Sequence, residues 1–209
     1  MSGTVLIDYD SGNLHSAEKA LSRAAGEAIT VTDQPDIVAK ADRIVLPGVG
    51  AFGACMDQLA ARPGLIEAMD QAVRRRGVPF LGVCVGMQLL ATRGLEFGEK
   101  AGLDWIGGEV KEIKPAGRQF KVPHMGWNSL GDLTTHALFG GLGTGSHMYF
   151  THSFAFTPDD PSHTAATTDH GGLITAAVAK DNIAGVQFHP EKSQAAGLKL
   201  LANFLEWRP

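Results

Sequence analysis

The chain has 209 residues, of which 44% are hydrophobic and 19% charged, and its formal net charge is −4 at pH 7. That size and balance fit a globular protein with an ample core; they exclude the basic stripe of a nucleic-acid binder, and no apolar run reaches membrane-spanning length. Two cysteines in unlike settings make no disulfide framework and nothing at the N-terminus reads as a signal peptide, so a reducing cytoplasm is the expected compartment.

In chain order, the first expected element is a strand over 4–8, nearly all apolar. A helix over 13–25 follows, with Leu14, Ala17, Leu21 and Ala24 at helical spacing. Strands are expected over 29–31 and 43–46, the second running into Pro47-Gly48-Val49-Gly50. Helical patterns cover 51–61 and 64–75; the latter ends in Arg74-Arg75-Arg76, where cations complement the helix dipole. The apolar run Val78-Pro79-Phe80-Leu81 is a buried strand, and Met87-Gln88-Leu89-Leu90-Ala91 beyond it is helix-like. This alternation specifies a mostly parallel sheet covered on both faces. From about 106 to 156 the pattern changes to alternating and turn-rich stretches, such as Glu109-Val110-Lys111-Glu112-Ile113, which predict antiparallel strands beside the parallel core. Stretches 174–178 and 183–188 read as a closing hairpin across Lys180-Asp181-Asn182, and a final helix runs over 193–206. No linker or repeat interrupts the chain, so one domain over 1–209 is expected.

The most informative stretch is Gly82-Val83-Cys84-Val85-Gly86-Met87-Gln88. A cysteine between a buried strand and a helix, with glycines two positions away on both sides, sits on a tight turn that flanking Cβ atoms would obstruct. There it meets the unpaired N–H groups of a helix start, which favour thiolate over thiol. Cys55, in Phe52-Gly53-Ala54-Cys55-Met56, has no such setting and reads as an ordinary helix residue. A second strand end carries His189-Pro190-Glu191. An imidazole can take the proton of a thiol, and a carboxylate two residues on can fix its tautomer and stabilise its cation. Zinc held by Cys84, His189 and Glu191 is the competing account, but closely spaced Cys-x-x-Cys or His-x-x-x-His ligands are missing. The glycine-flanked 47–50 loop can present backbone N–H groups to a developing oxyanion, and the Val85 N–H is the natural second donor.

Together, Pro47-Gly48-Val49-Gly50, Gly82-x-Cys84-x-Gly86-x-Gln88 and His189-Pro190-Glu191 resemble the class I, triad-type glutamine amidotransferases over nearly the whole chain. Within that family, Asp8-Tyr9-Asp10-Ser11-Gly12-Asn13-Leu14, Pro123-His124-Met125-Gly126-Trp127-Asn128 and Tyr149-Phe150-Thr151-His152-Ser153 resemble the glutaminase subunits of imidazole glycerol phosphate synthase. The resemblance implies a flavodoxin-like α/β fold with an additional antiparallel β layer, hydrolysis of glutamine to glutamate and ammonia, and no cofactor or metal. It implies Cys84 as nucleophile, His189 as proton shuttle and Glu191 as its orienting group. Gly48, Val49, Gly50 and the Val85 amide correspond to the oxyanion region. Gly50, Gly86, Gln88, Glu96, Ser153 and Phe154 match glutamine-contacting positions. It also implies a heterodimer with a separate (β/α)₈-barrel cyclase, met by Asn13, Met125, Trp127, Asn128 and Tyr149, with ammonia passing between the subunits. Asp10 stands where the family more often has glycine, and Phe154 where tyrosine is common. Glutaminase subunits of other synthases (for anthranilate, aminodeoxychorismate or pyridoxal phosphate) and a stand-alone cysteine hydrolase are the alternative readings; residues 8–14 with 123–128 discriminate against them.

Overall fold

A computed structural model describes residues 3–209. The first half alternates strands and helices: β1 (Thr4–Ile7), α1 (Leu14–Ala25), β2 (Thr30–Thr32), α2 (Pro35–Val38), β3 (Arg43–Leu46), α3 (Phe52–Ala60), α4 (Leu65–Asp70), β4 (Phe80–Val83) and α5 (Val85–Gln88). Then come β5 (Arg93–Gly94), β6 (Lys100–Ala101), β7 (Gly108–Glu112), β8 (His124–Ser129), β9 (His147–His152), β10 (Phe154–Pro158), β11 (Thr164–Asp169), β12 (Leu173–Lys180), β13 (Ile183–Val186) and α6 (Gln194–Glu206).

Seven strands form the main sheet in the order β11-β12-β13-β4-β3-β1-β2. Strands β2, β1, β3, β4 and β13 pair in parallel, while β12 and β11 close one side antiparallel. Strand β4 lies in the middle, and all four of its residues are buried, which is why it reads as a continuous apolar run. Its register sets Leu46 beside Gly82 and Val186 beside Val83. The carboxyl ends of β3, β4 and β13 therefore stop side by side, and the segments that follow them converge at the sheet edge where open α/β sheets carry their sites.

The antiparallel strands predicted over 106–156 fall in two places: β7 and β10 in a four-stranded sheet of order β10-β7-β5-β6, whose other two strands precede that region, and the separate pair β8-β9. One pairing within the first, β5 with β7, is parallel. Three expectations need adjustment. The helix expected over 64–75 is regular only to Asp70 and widens into a π-turn over Gln71–Arg75. There Asn182 Nδ2 donates to the carbonyls of Val73 (2.9 Å) and Val78 (2.7 Å), drawing the Val73 carbonyl away from an ordinary helical partner. The helix after Cys84 is only four residues long, because the returning N–H groups of Leu103, Asp104 and Trp105 take the carbonyls of Leu89, Ala91 and Leu90. Strand β11 was not foreseen at all: Thr-Ala-Ala-Thr-Thr-Asp has no large apolar side chain to signal a strand.

Candidate active site

Cys84 sits at φ 56° and ψ −113°. Such backbone is strained for a residue with a Cβ and persists only where the surroundings enforce it. Here the Cys84 N–H donates to the Val186 carbonyl at 2.8 Å, and its carbonyl accepts the N–H groups of Met87 (3.0 Å) and Gln88 (3.2 Å). The flanking glycines are demanded by close approach. A Cβ on Gly82 would lie 2.5 Å from the Gly86 carbonyl oxygen, and one on Gly86 only 2.0 Å from that of Leu46.

His189, just beyond β13, lines the same cleft as Cys84. On its other side, Nδ1 lies 2.8 Å from Glu191 Oε1. The histidine is also clamped through its backbone: its N–H donates to Tyr149 O (2.9 Å), and its carbonyl accepts the Ser193 hydroxyl (2.6 Å). Burial disfavours the charged ring, but its interactions with the neighbouring Cys84 and Glu191 outweigh it, raising the His189 pKa from 6.5 to about 9. The two sequence-distant groups thus share one site. Cys55 differs: it is buried, its sulfur lies 3.1 Å from Ser11 Oγ, and burial pushes its thiol pKa up. Among the described residues, no three His, Cys, Asp or Glu side chains group so as to hold a metal ion.

The 47–50 loop lies over the elbow. The Val85 N–H, expected to face an oxyanion, donates to the Gly48 carbonyl at 3.3 Å. The N–H of the same 48–49 peptide, on Val49, faces Ser11 Oγ at 3.4 Å. Tyr9 anchors the start of the loop by donating its hydroxyl to Pro47 O at 2.6 Å. Gly48 is packed close to Gly86, where a Cβ would fall 2.6 Å from the Gly86 nitrogen.

A cleft of about 300 Å³ opens above the sulfur. It is lined by Val49, Gly50, Cys84, Val85, Gln88, Glu96, Ser153, Phe154 and His189, all expected in the site, and also by Pro123, Thr151 and His152, which stood in the family-like motifs without a role in the site. Gly86 does not line it; its place is in the packing beneath. Glu96 doubles as a cap, accepting the Phe52 N–H at 2.7 Å where α3 begins. A larger groove of about 790 Å³ shares only Phe154 with this cleft and contains no cysteine. Sequence reasoning also missed Gln187, whose Nε2 lies 3.7 Å from Cys84 Sγ. Its position two residues before His189 was the only available signal.

The positions expected to meet a partner separate into two groups. Met125 and Trp127, 63% and 48% exposed, share one face of β8, and the Tyr149 ring packs edge-on to Trp127 at 5.9 Å. Asn13 is exposed at the start of α1. Asn128 alternates to the opposite face of β8, where its amide bonds to His124 and to the Asp169 carbonyl. Asp10 is exposed and ion-paired with Arg62.

The buried histidines set a pH dependence for stability. Burial, reinforced by the neighbouring histidines, lowers the pKa of His124 from 6.5 to about 3; burial also lowers that of His152, to about 4. The unfolded chain takes up these protons more readily, so the stability from both neutral rings is complete above 6.5 and is lost as pH falls toward 4 and 3. His189 behaves oppositely: its contribution is complete below 6.5 and disappears as pH rises through about 9. Thermal unfolding between pH 4 and 10 is expected to give the highest Tm at about pH 6–7, with losses on both flanks. A Tm that climbs steadily to pH 9 would contradict this assignment of protons.

A doubly wound α/β sheet whose central strand ends in a strained cysteine beside an imidazole is the architecture of a glutamine-hydrolysing enzyme class, and comparison with known proteins agrees. A model of the family "Glutamine amidotransferase class-I" matches residues 5–207, and the chain belongs to that family. A solved structure described as a glutamine amidotransferase shares its fold, with a TM-score of 0.74, 18% identity and 97% of each chain covered. Full-length relatives narrow the placement. The chain is 61% identical to the imidazole glycerol phosphate synthase subunit HisH of Caulobacter vibrioides, covering 100% of both. It is 54% identical to the subunit of the same name from Cereibacter sphaeroides, covering 99% of both. Within the class I amidotransferases it is a HisH-type glutaminase subunit. No helix among the described residues is long and apolar enough to cross a membrane.

Proposed function

We propose that this chain, as one domain, supplies ammonia to an imidazole glycerol phosphate synthase in the cytoplasm by hydrolysing glutamine in the Cys84 cleft. The observation that carries the reading is the convergence of Cys84 and His189 in one cleft at the ends of β4 and β13, with Glu191 hydrogen-bonded to the imidazole. Cys84 Sγ attacks the side-chain amide carbon of glutamine, and the proton gathered by His189 passes to the departing nitrogen, releasing ammonia and leaving a glutamyl thioester. Water, deprotonated by His189, then adds to the thioester and frees glutamate, returning sulfur and imidazole to their starting states. Glu191 holds the imidazole in one tautomer and stabilises its cation. Gln88, Glu96, Ser153 and Phe154 contact the substrate.

The 48–49 peptide controls the rate. As it lies, its carbonyl occupies the Val85 N–H. Rotation of that one peptide plane removes the carbonyl, frees the Val85 donor and swings the Val49 N–H toward the cleft, so both amides reach a tetrahedral oxyanion. Ammonia passes directly to a (β/α)₈-barrel cyclase subunit seated on the surface of Met125, Trp127, Tyr149 and Asn13. Transfer without release matters because free ammonia is mostly protonated near neutrality, and ammonium is no nucleophile.

Glutamine turnover by the isolated chain is therefore expected to be slow. It should rise by at least about tenfold when cyclase and its nucleotide are added, in line with the transition-state contribution of even one oxyanion donor. Equal rates in the two states would overturn the resting-loop account. Co-purification of a different synthase, in place of a barrel cyclase, would redirect the partner assignment.

A further inference from the structure

One hydrogen-bonded line runs from strand β8 to the sulfur of Cys84. At its far end the Asn128 amide is locked: Oδ1 accepts the Ser129 N–H at 2.8 Å, and Nδ2 donates to the Asp169 carbonyl at 2.8 Å. Nδ2 also faces His124 Nε2 at 3.1 Å, so that ring nitrogen carries a lone pair. His124 accordingly holds its hydrogen on Nδ1 and donates it to His152 Nε2 at 2.9 Å. His152 in turn donates from Nδ1 to the Phe154 carbonyl at 2.9 Å, an atom that can only accept. The same carbonyl accepts from Gln88 Nε2 at 3.0 Å, and Gln88 Nε2 also donates to Gln187 Oε1 at 3.0 Å. That orientation leaves Gln187 Nε2 toward Cys84 Sγ, at 3.7 Å.

No interior member can be reversed without setting donor against donor or acceptor against acceptor. The site is dry enough for that to matter: His124, His152, Gln88 and Gln187 are 3%, 7%, 3% and 0% exposed. Both imidazoles also remain neutral at physiological pH, as the line requires, since burial holds them far below the ordinary histidine range.

We propose that Gln187 is a further catalytic residue, donating its amide N–H to the Cys84 sulfur, that Gln88 is the positioning residue that fixes this orientation, and that His152, held by His124 and Asn128, is a positioning residue that holds in place the Phe154 carbonyl on which Gln88 is oriented. The role rests on the reading of Cys84 as the glutaminase nucleophile. A thiolate accepts a hydrogen bond more strongly than a thioester sulfur does, so the Gln187 donor stabilises the charged sulfur before attack and again as the thioester collapses. Gln187 undergoes no bond change. The other titratable groups around Cys84 are His189 with Glu191 behind it, Glu96 and His152 on the cleft wall, and Tyr9 and Cys55 beneath the 47–50 loop.

The test is the pH dependence of Cys84 alkylation by iodoacetamide in the full chain, read peptide by peptide so that Cys55 is scored separately. Glutamine turnover is measured in parallel with the cyclase and nucleotide present. Gln187→Glu keeps an oxygen for Gln88 to donate to but replaces the donor at sulfur with a carboxylate oxygen. The alkylation midpoint should rise by roughly one pH unit or more, and kcat should fall about tenfold or more. Gln187→Met should shift it in the same direction but less. His124→Phe keeps a ring stacked between Phe150 and His170 while cutting the line; it should give a smaller upward shift, which His124→Asn partly reverses. If folded Gln187→Glu or Gln187→Met keeps the unmodified midpoint and kcat, the Gln187 role is overturned. If the Gln187 variants shift as expected while His124→Phe does nothing, the positioning role of the histidines is overturned. The two levels separate cleanly. An unmodified complex that hydrolyses no glutamine removes the functional reading, whereas turnover that depends on Cys84 but ignores Gln187 removes only this inference.

Discussion

Replacing Cys84 with alanine is expected to lower glutamine-dependent turnover of the complex by a factor on the order of 10⁴ or more, because no other group in the cleft can form the acyl intermediate. With the proposed barrel cyclase as partner, synthesis driven by added ammonium salts should continue at close to its normal rate, since that subunit would need only the unprotonated fraction. Co-purification of the variant with the proposed cyclase separates loss of chemistry from loss of assembly, since ammonium-driven synthesis continues in either case. Cys55 is no substitute, since its sulfur is buried against Ser11 and Val49 and its thiol is held protonated. Persistence of glutamine-dependent turnover in Cys84→Ala would displace the nucleophile assignment outright.

The second large effect is expected from Gly86→Ala. The added methyl would come within 2.0 Å of the Leu46 carbonyl oxygen, a backbone atom at the end of β3 that is held by the strand's pairing with β4. Overpacking of a core by one carbon commonly costs about 1–3 kcal/mol, and a backbone collision this close belongs at or beyond the upper end. The relief available is displacement of the turn itself, which carries Cys84 away from His189. The variant should therefore show a Tm lower by several degrees and a Cys84 alkylation rate that no longer reflects its imidazole partner. Gly86→Ala with unmodified Tm and activity would show that the turn is slack where the structure has it tight.

The reach of the sequence can be judged from the same residues. The Cys84 turn was legible because its logic is local: an apolar strand, two glycines and a helix start suffice to place a strained side chain at a sheet edge. His189 and Glu191 were legible because two residues of spacing and a stiffening proline bring carboxylate to imidazole. The parallel sheet followed from apolar runs that only a strand covered on both faces would need. What stayed hidden depends on chain segments that meet only after folding. Nothing near Gln187 announces that its amide will face a sulfur 103 positions away. His124 and His152 each look like an isolated histidine, and only the antiparallel register of β8 and β9, which sets them opposite one another, turns them into a pair. The same register shows why Asn128 lies apart from Trp127: neighbouring positions on a strand face opposite ways, so a run of residues with one expected role divides between two surfaces.

The Gly48 carbonyl seated on the Val85 N–H has a consequence beyond rate control. If that one peptide orientation holds the isolated chain slow, as proposed, no bound inhibitor is needed, and a surplus copy would consume little of the cell's glutamine. Unequal production of the two subunits would then waste polypeptide but little nitrogen, and the glutamine pool would be drawn down mainly where an acceptor stands ready.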